Sequence, residues 1–456
     1  MFKKLTDRSH IINTIALAWP LVLTQVGQII TGMVDNIFLG TIGPTEQAAG
    51  ILSNNLYVLL LVFIIGISYA TTPLVTSANQ QGDLAKKASL FKNAMFLNVA
   101  VATVCFLILF FSSGLLKYMK QPEEVAQLAI PFFNVIIFSM IPVSLYFTCK
   151  QYCEGLGNTR MALLIGLVGN LINIILNYAF IYGKLGFSEM GYMGAAWASF
   201  WARLFMGLSF LFLVFKSPFT SEINKVYKAV KINWEDLKSL WKIGVNSALQ
   251  FTFEVAAFVI AGLMAGSFGK EQIDAHGIAL SLAAFTYMFG SGIASSATIK
   301  VGVYKAQNNW SEIRKSANAA IILVMLIMGA AGIVFAVLNN YLPLAFSQEK
   351  QIVELAAELL IIAAMFQLFD GLQVTLLGVL RGLEDVRIST VVTLVGYWII
   401  ALPLAYFLAF TCKMETFGIW IGLLASLIFV ALGLYWRFKY LLNKNLAGNL
   451  ARGNSV

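Results

Sequence analysis

Three carboxylates stand where a carboxylate is costly. Asp35, Glu254 and Asp370 each fall inside an apolar run of roughly 20 to 30 residues, long enough to cross ~30 Å of hydrocarbon as helix. A charged side chain at mid-membrane costs about 2.5–3.5 kcal/mol or more, so an acid kept there normally faces a polar cavity. Such an acid can hold a proton, a sodium ion or an organic cation, and the arrival of one displaces another, which is the minimum chemistry of antiport. Helical spacing gives each acid polar company. Thr24, Gln28, Thr31 and Asp35 recur at steps of four, three and four on one face. Asn246, Gln250 and Glu254 form a second stripe, Gln367, Asp370 and Gln373 a third, and Asn170, Asn173 and Asn177 share a fourth face.

The competing role for polar groups in a membrane is hydrogen-bonded glue between helices. An uncharged amide does that job at lower cost, so the carboxylates are read as functional. The asparagines stay open between the two roles. Arg203 in the sixth run is read as snorkelling or pairing structurally and is assigned to no site. His276 is read as a hydrogen-bonded structural histidine rather than a proton relay. Pro20 permits a kink in the first run.

The elements that must position these groups follow from composition. Of 456 residues, 59% are hydrophobic and only 12% charged, against about 25% charged in a soluble domain. Apolar runs fall near 11–39, 46–78, 90–116, 127–153, 160–183 and 191–215, and again near 239–266, 273–300, 315–342, 350–380, 386–410 and 416–438. The reading is an all-α polytopic membrane protein of about twelve transmembrane helices in two six-helix bundles. The strict alternation of a β-barrel is absent. The run after the charged amino terminus is too long for a signal-peptide core and is expected to be retained.

A net charge of +9 would hint at nucleic acid in a soluble chain. Here the excess sits in short loops and obeys the positive-inside rule. One set of loops carries Lys86, Lys87, Lys92, Arg160, Lys225, Lys228, Lys231, Lys238, Lys305, Arg314, Lys315, Arg381 and Arg387, and the terminal segments on that side add Lys3, Lys4, Arg8, Arg437, Lys439 and Lys444. The opposite set has Lys117, Lys120, Lys184, Lys270, Lys350 and Lys413. Both termini are therefore expected in the cytoplasm. Residues 1–215 read as an amino-terminal lobe, 216–238 as a cytoplasmic linker and 239–456 as a carboxy-terminal lobe. Lys225, Lys228 and Lys231 with Val226, Val230 and Trp234 suggest a short amphipathic helix in the linker.

The lobes repeat. Glu154-Gly155-Leu156-Gly157-Asn158-Thr159-Arg160 follows the fourth run, and Arg381-Gly382-Leu383-Glu384-Asp385-Val386-Arg387 follows the tenth. Gly66-Ile67 with Thr72 and Val75 matches Gly292-Ile293 with Thr298 and Val301. Six helices per repeat is even, so the repeats are parallel. Sequences of the forms GxxxxGK[ST], HExxH and GxSxG are absent, which removes a phosphate-cradling engine and two common hydrolytic sites. Cys105, Cys149, Cys153 and Cys412 form no CxxC pair, and with only two histidines no metal centre is expected. No enzyme activity and no cofactor is read.

Nearly the whole chain resembles the multidrug and toxic compound extrusion (MATE) family and, within it, the bacterial NorM type. The matching stretches are Met33-Val34-Asp35-Asn36-Ile37-Phe38-Leu39-Gly40, Cys153 to Arg160, Gly169 to Tyr178, Phe253-Glu254-Val255 and Leu380-Arg381-Gly382, in order and spacing. The resemblance implies two six-helix lobes around a V-shaped cavity and export of small cationic amphipathic drugs and dyes, driven by Na+ or H+ entry. It implies an acid on the first, seventh and tenth helices, which Asp35, Glu254 and Asp370 match. It also implies an amino-terminal-lobe cation site, whose matching positions are Asp35, Asn173, Asn177 and Ser199. Sodium is then expected at Asp35 or at Glu254 and Asp370, with Gln28, Gln250 and Gln367 lining polar cavity. Some relatives carry an acid on the fifth helix where this chain has Asn177.

The expected function is secondary active efflux of organic cations by a monomer in a bacterial inner membrane, with the lipid bilayer and the cargo as its partners and no nucleic acid. A lipid-linked precursor flippase of the wider superfamily is the main alternative. Its pyrophosphate cargo would want several Arg or Lys in the first helices, and the first two runs hold none. A membrane protein with no transport role would leave the three acids unexplained.

Overall fold

The structure, a computed structural model, describes residues 8–118 and 122–453, so Lys3, Lys4 and Lys120 lie outside it. Among the described residues the chain is helical without a strand. Helices long and apolar enough to span a membrane follow the runs. The first three are α1 (Arg8–Gly40), α2 (Pro44–Gln80) and α3 (Leu84–Ser112). Next comes α4, a pair of helices (Glu123–Ile137 and Met140–Gly155) bent by 43° at a short break. Then follow α5 (Thr159–Ile181), α6 (Tyr192–Lys216), α7 (Trp234–Gly266), α8 (Lys270–Ala306), α9 (Trp310–Val337), α10 (Lys350–Gly382), α11 (Val386–Thr411) and α12 (Glu415–Ala447). With α4 taken as one span the described chain has twelve. The chain is a multi-pass membrane protein.

Local chemistry sets where these helices start. Asp83 accepts from the Lys86 N–H at 2.8 Å and caps α3, while Asn158 and Asn309 cap α5 and α9 through the Met161 and Glu312 N–H groups. Pro44 opens α2, where its missing donor costs nothing. Pro20 sits inside α1.

The chain packs as two compact units, residues 23–248 and residues 249–456 together with 1–22. Both boundaries fall inside long helices, α1 and α7. Each of these helices therefore gives its opening turns to the core of one unit and the rest to the other. The repeat makes this symmetrical. A Cβ on Gly66 would lie 2.2 Å from Ala248 Cα, and a Cβ on Gly292 would lie 2.7 Å from the Val22 nitrogen. Only glycine lets α7 approach α2 in one unit and α1 approach α8 in the other this closely. The repeated motifs also make one contact twice. Thr72 Oγ1 donates to the Gln151 carbonyl at 3.0 Å, and Thr298 Oγ1 donates to the Gly378 carbonyl at 2.8 Å.

Of the short amphipathic helix expected in the linker one α-helical turn forms, Asn224–Tyr227, which holds Lys225 and Val226 but not Lys228, Val230 or Lys231. Its following polar groups are taken by α3. Lys92 Nζ donates to the Val230 carbonyl at 2.7 Å, and Asn93 Oδ1 accepts from the Asn233 N–H at 3.1 Å. Asp236 then pairs with Lys86 at 2.5 Å. Val226 and Val230 pack on the core of residues 23–248, while Trp234 stays exposed. In the other unit Lys300, buried, donates to the His10 carbonyl and Thr14 Oγ1, both at 2.9 Å, and fastens the opening of α1 to α8.

Candidate functional site

The unit of residues 23–248 brings α1, α5 and α6 together at Asp35. Asn177 Nδ2 donates to Asp35 Oδ1 at 2.7 Å, and Ser199 Oγ donates to Asp35 Oδ2 at 2.8 Å. Asn177 also reaches Asn173 Oδ1 at 3.2 Å, and Asn173 Nδ2 approaches Ser199 Oγ at 3.4 Å. The four residues implied as an amino-terminal cation site thus form one hydrogen-bonded cluster. The spacing of 173 and 177 on α5 makes this possible, since both face α1. Asn177 Oδ1 is buried without a hydrogen-bond partner, leaving a hard oxygen beside the carboxylate of the kind sodium prefers.

Asp35 borders a cavity of about 220 Å3 in this unit. Thr24, Gln28 and Thr31, the rest of its stripe, line the same cavity, with Asn170, Ser199 and a mostly apolar wall. Arg203 lines it too, although the sequence reading gave this residue no site. Its Nη1 donates to Ser139 Oγ at 2.8 Å, and its guanidinium lies over the Tyr57 ring, 4.7 Å from the centroid. Ser139 sits at the break in α4 and donates its own proton to the Ile136 carbonyl, so Tyr57 O–H donates to Ser139. Arg203 follows Ser199 by four residues and shares its face of α6.

The other unit holds Glu254 on α7 and Asp370 on α10, both buried, at 6% and 3% exposure. Gln373 Nε2 and Tyr397 O–H approach Glu254 Oε1 at 3.4 and 3.3 Å, and Gln373 Nε2 donates to Tyr397 Oη at 2.9 Å. Asp370 makes no hydrogen bond to another protein group among the described residues. Tyr397 belongs to a π-helical turn, Val395–Ala401, within α11. Its neighbour Trp398 donates to the Phe253 carbonyl at 3.2 Å, so two consecutive residues of that turn grip α7 at Glu254. The π-turn rotates the face of α11 that meets α7. Nothing in the sequence distinguished Tyr397 from other aromatic residues in apolar runs.

The remaining stripe residues separate. Gln250 Nε2 donates to the Val386 carbonyl and Thr390 Oγ1, both at 3.1 Å, and so ties α7 to α11. Gln367 Oε1 accepts from Thr286 at 2.7 Å on α8. Among the described residues neither Asp35, Glu254 nor Asp370 is in an ion pair. His276 accepts from Trp420 Nε1 at 3.1 Å inside an apolar core. All four cysteines are free, with Cys412 exposed and the others buried.

Comparison with known proteins matches this architecture. The fold is shared by a eukaryotic MATE transporter (TM-score 0.86, 18% identity, 96% of this chain and 98% of that one). It is also shared by a MOP superfamily transporter from Pyrococcus furiosus (TM-score 0.87, 17% identity, 96% of each chain). The multidrug resistance protein MdtK of Yersinia pseudotuberculosis is 30% identical over 448 residues, covering 96% of this chain and 97% of the relative. MdtK of Proteus mirabilis is 30% identical over 436 residues, covering 93% and 95%. The MatE family model matches residues 20–179 and 247–407, one stretch for each repeat. Matched on both repeats and along nearly its full length, the chain belongs to the MatE family of MATE transporters.

Proposed function

We propose that this protein is a secondary active multidrug exporter that exchanges amphipathic organic cations for sodium or protons. The observation that carries this is the pair of separate acidic sites, one in each unit, whose three carboxylates lack ion pairs among the described residues. A buried carboxylate whose direct partners are neutral groups is a place for a mobile cation. Around Asp35 the ligands for sodium are its carboxylate and the unpartnered Asn177 Oδ1, while protonation needs only the acid. In the other unit Glu254 and Asp370 share a proton, a sodium ion or the cationic group of the cargo. The name of the relatives, multidrug resistance protein, supports drugs as the cargo.

The protein resides as a monomer in a bacterial inner membrane with both termini cytoplasmic, the orientation that its Lys and Arg distribution supports. A lipid-linked cargo is less well served. The single guanidinium in the amino-terminal cavity, Arg203, falls short of the several cations that a pyrophosphate needs.

Efflux of ethidium from proteoliposomes, under sodium and proton gradients imposed separately, tests the reading. Accelerated efflux under at least one gradient is expected. Ethidium movement that ignores both gradients would sink it.

A further inference from the structure

The opening turns of α7 have one face buried and one face bare. Asp236, Leu237, Leu240, Ile243 and Gly244 are buried. Asp236 accepts from Lys86 and Ser89 on α3, and the Asn233 N–H donates to Asn93, so this side is fixed within the unit of residues 23–248. The opposite side carries Trp234, Lys238, Trp241 and Lys242, at steps of four, three and one, all exposed. Trp234 is 78% exposed and Trp241 49%, and bare rings of this size mark a surface for a partner or a membrane. The linker before them continues the pattern with exposed Phe219 and Ile232 and with exposed Lys216, Lys225, Lys228 and Lys231. None of these lysines is in an ion pair among the described residues. The acids of the stretch besides Asp236 are Glu222 and Glu235, so the bare side keeps an excess of positive charge.

The repeated scaffold does not need this face. At the matching positions of α1, counted from the first residue of each helix, stand Arg8, Ile12, Ile15 and Ala16. Depth along α7 points to the partner. From Ile243 to Gly266 the helix runs about 36 Å, enough for the ~30 Å hydrocarbon layer. Trp241 and Lys242 therefore stand at the edge of that layer, and Trp234 lies roughly 10 Å further out, among headgroups.

We infer that this face of α7 binds anionic phospholipid, with the phosphate at Lys238 and Lys242 and the Trp241 ring at the boundary between headgroup and acyl chain. No cargo, gradient or direction of transport enters the inference. Tryptophan suits that boundary because one side of its ring system is apolar and its N–H is polar. Each lysine beside an anionic surface strengthens the attraction about fivefold. A soluble acidic partner would use the charge but would give no reason for a ring at the hydrocarbon edge.

The test is native mass spectrometry of the full chain released from micelles with equal phosphatidylglycerol and phosphatidylcholine. Wild type should retain phosphatidylglycerol over phosphatidylcholine as its first lipid by about fivefold or more. Lys238→Gln with Lys242→Gln should lower that ratio about fivefold or more, and Lys238→Arg with Lys242→Arg should keep it. Lys184→Gln with Lys413→Gln, which removes two exposed lysines elsewhere, should also keep it. Trp234→Ala with Trp241→Ala should weaken retention of both lipids. Thermal melting checks each variant, and if the paired glutamine variant does not fold, the single substitutions carry the same test. Equal retention of the two lipids by wild type overturns the inference, as does an unchanged ratio in the folded glutamine variant or an equal fall in the Lys184 and Lys413 variant. A dimer that disappears in the glutamine variant, with no lipid preference in wild type, would give the face to a second copy of this chain and overturn it too.

Discussion

The two units share a scaffold and differ in where they keep their acids. Thr72 on Gln151 and Thr298 on Gly378 are one contact made twice, and α1 and α7 have the same length, 33 residues, set 226 residues apart. At that offset Glu254 is the counterpart of Gln28, and Asp35 is the counterpart of Ala261. The acids are therefore not copies of each other. Asp35 is open to a cavity and holds one donor on each oxygen, at 2.7 and 2.8 Å. Glu254 and Asp370 are buried and short of donors, with contacts of 3.3 and 3.4 Å to one oxygen of Glu254 and none to Asp370 among the described residues. An arriving cation changes the energy of the second arrangement most, because it supplies a partner to carboxylates that lack donors. Duplication supplied the frame, and the ion chemistry was placed separately in each half.

The largest expected effect tests the donor-poor pair. Glu254→Gln and Asp370→Asn should each reduce gradient-driven ethidium efflux to the level of empty liposomes with normal expression and melting. Wild-type rates in either variant would remove that residue from the coupling chemistry.

Asp35→Asn comes next. It keeps size and removes charge, so transport should fall about tenfold or more. Sodium at about 100 times its dissociation constant should protect wild type by about 2.7 kcal/mol, and that protection should shrink in the variant. Equal protection of both proteins in thermal melts would mean that the amino-terminal cluster is glue and that the other unit carries coupling alone.

The hydroxyl contacts sharpen the contrast on a smaller scale. Tyr397→Phe removes one of the few donors near Glu254. About 1 kcal/mol is at stake, so the ion concentration giving half-maximal efflux should shift about fivefold with little change in maximal rate. A pure loss of maximal rate would make Tyr397 a packing residue. Ser199→Ala leaves Asp35 its bond from Asn177 and should shift the same quantity only about two- to threefold. A larger shift for Ser199→Ala than for Tyr397→Phe would invert the comparison.

Much of this was legible in the chain. Apolar run length gave the twelve spans, and the two Gly-containing motifs gave the repeat, because backbone proximity at Gly155 and Gly382 leaves no room for a side chain. The spacing of Asp35 with its stripe and of Asn173 with Asn177 expressed the helix period directly. Arg203 was assigned to no site from the sequence; its structural pairing with Ser139 and the Tyr57 ring fits that reading, and its place on the cavity wall was not legible because a cavity is lined by side chains from many helices. Tyr397 was invisible since its reach depends on a π-turn that no local composition announces. The sharing of α1 and α7 between units was equally hidden. An apolar helix reads the same whichever core each end enters.

That sharing has a consequence for biosynthesis. The opening of α1 leaves the ribosome well before Lys300, which clasps His10 and Thr14 and is synthesised some 290 residues later. At about 5–20 residues per second that is roughly 15–60 s. During this interval the amino-terminal segment is in the bilayer without the neighbours that bury it. Two fragments divided in the linker would each lack a native half-helix partner, and each should acquire protease resistance only when both are made in the same membrane.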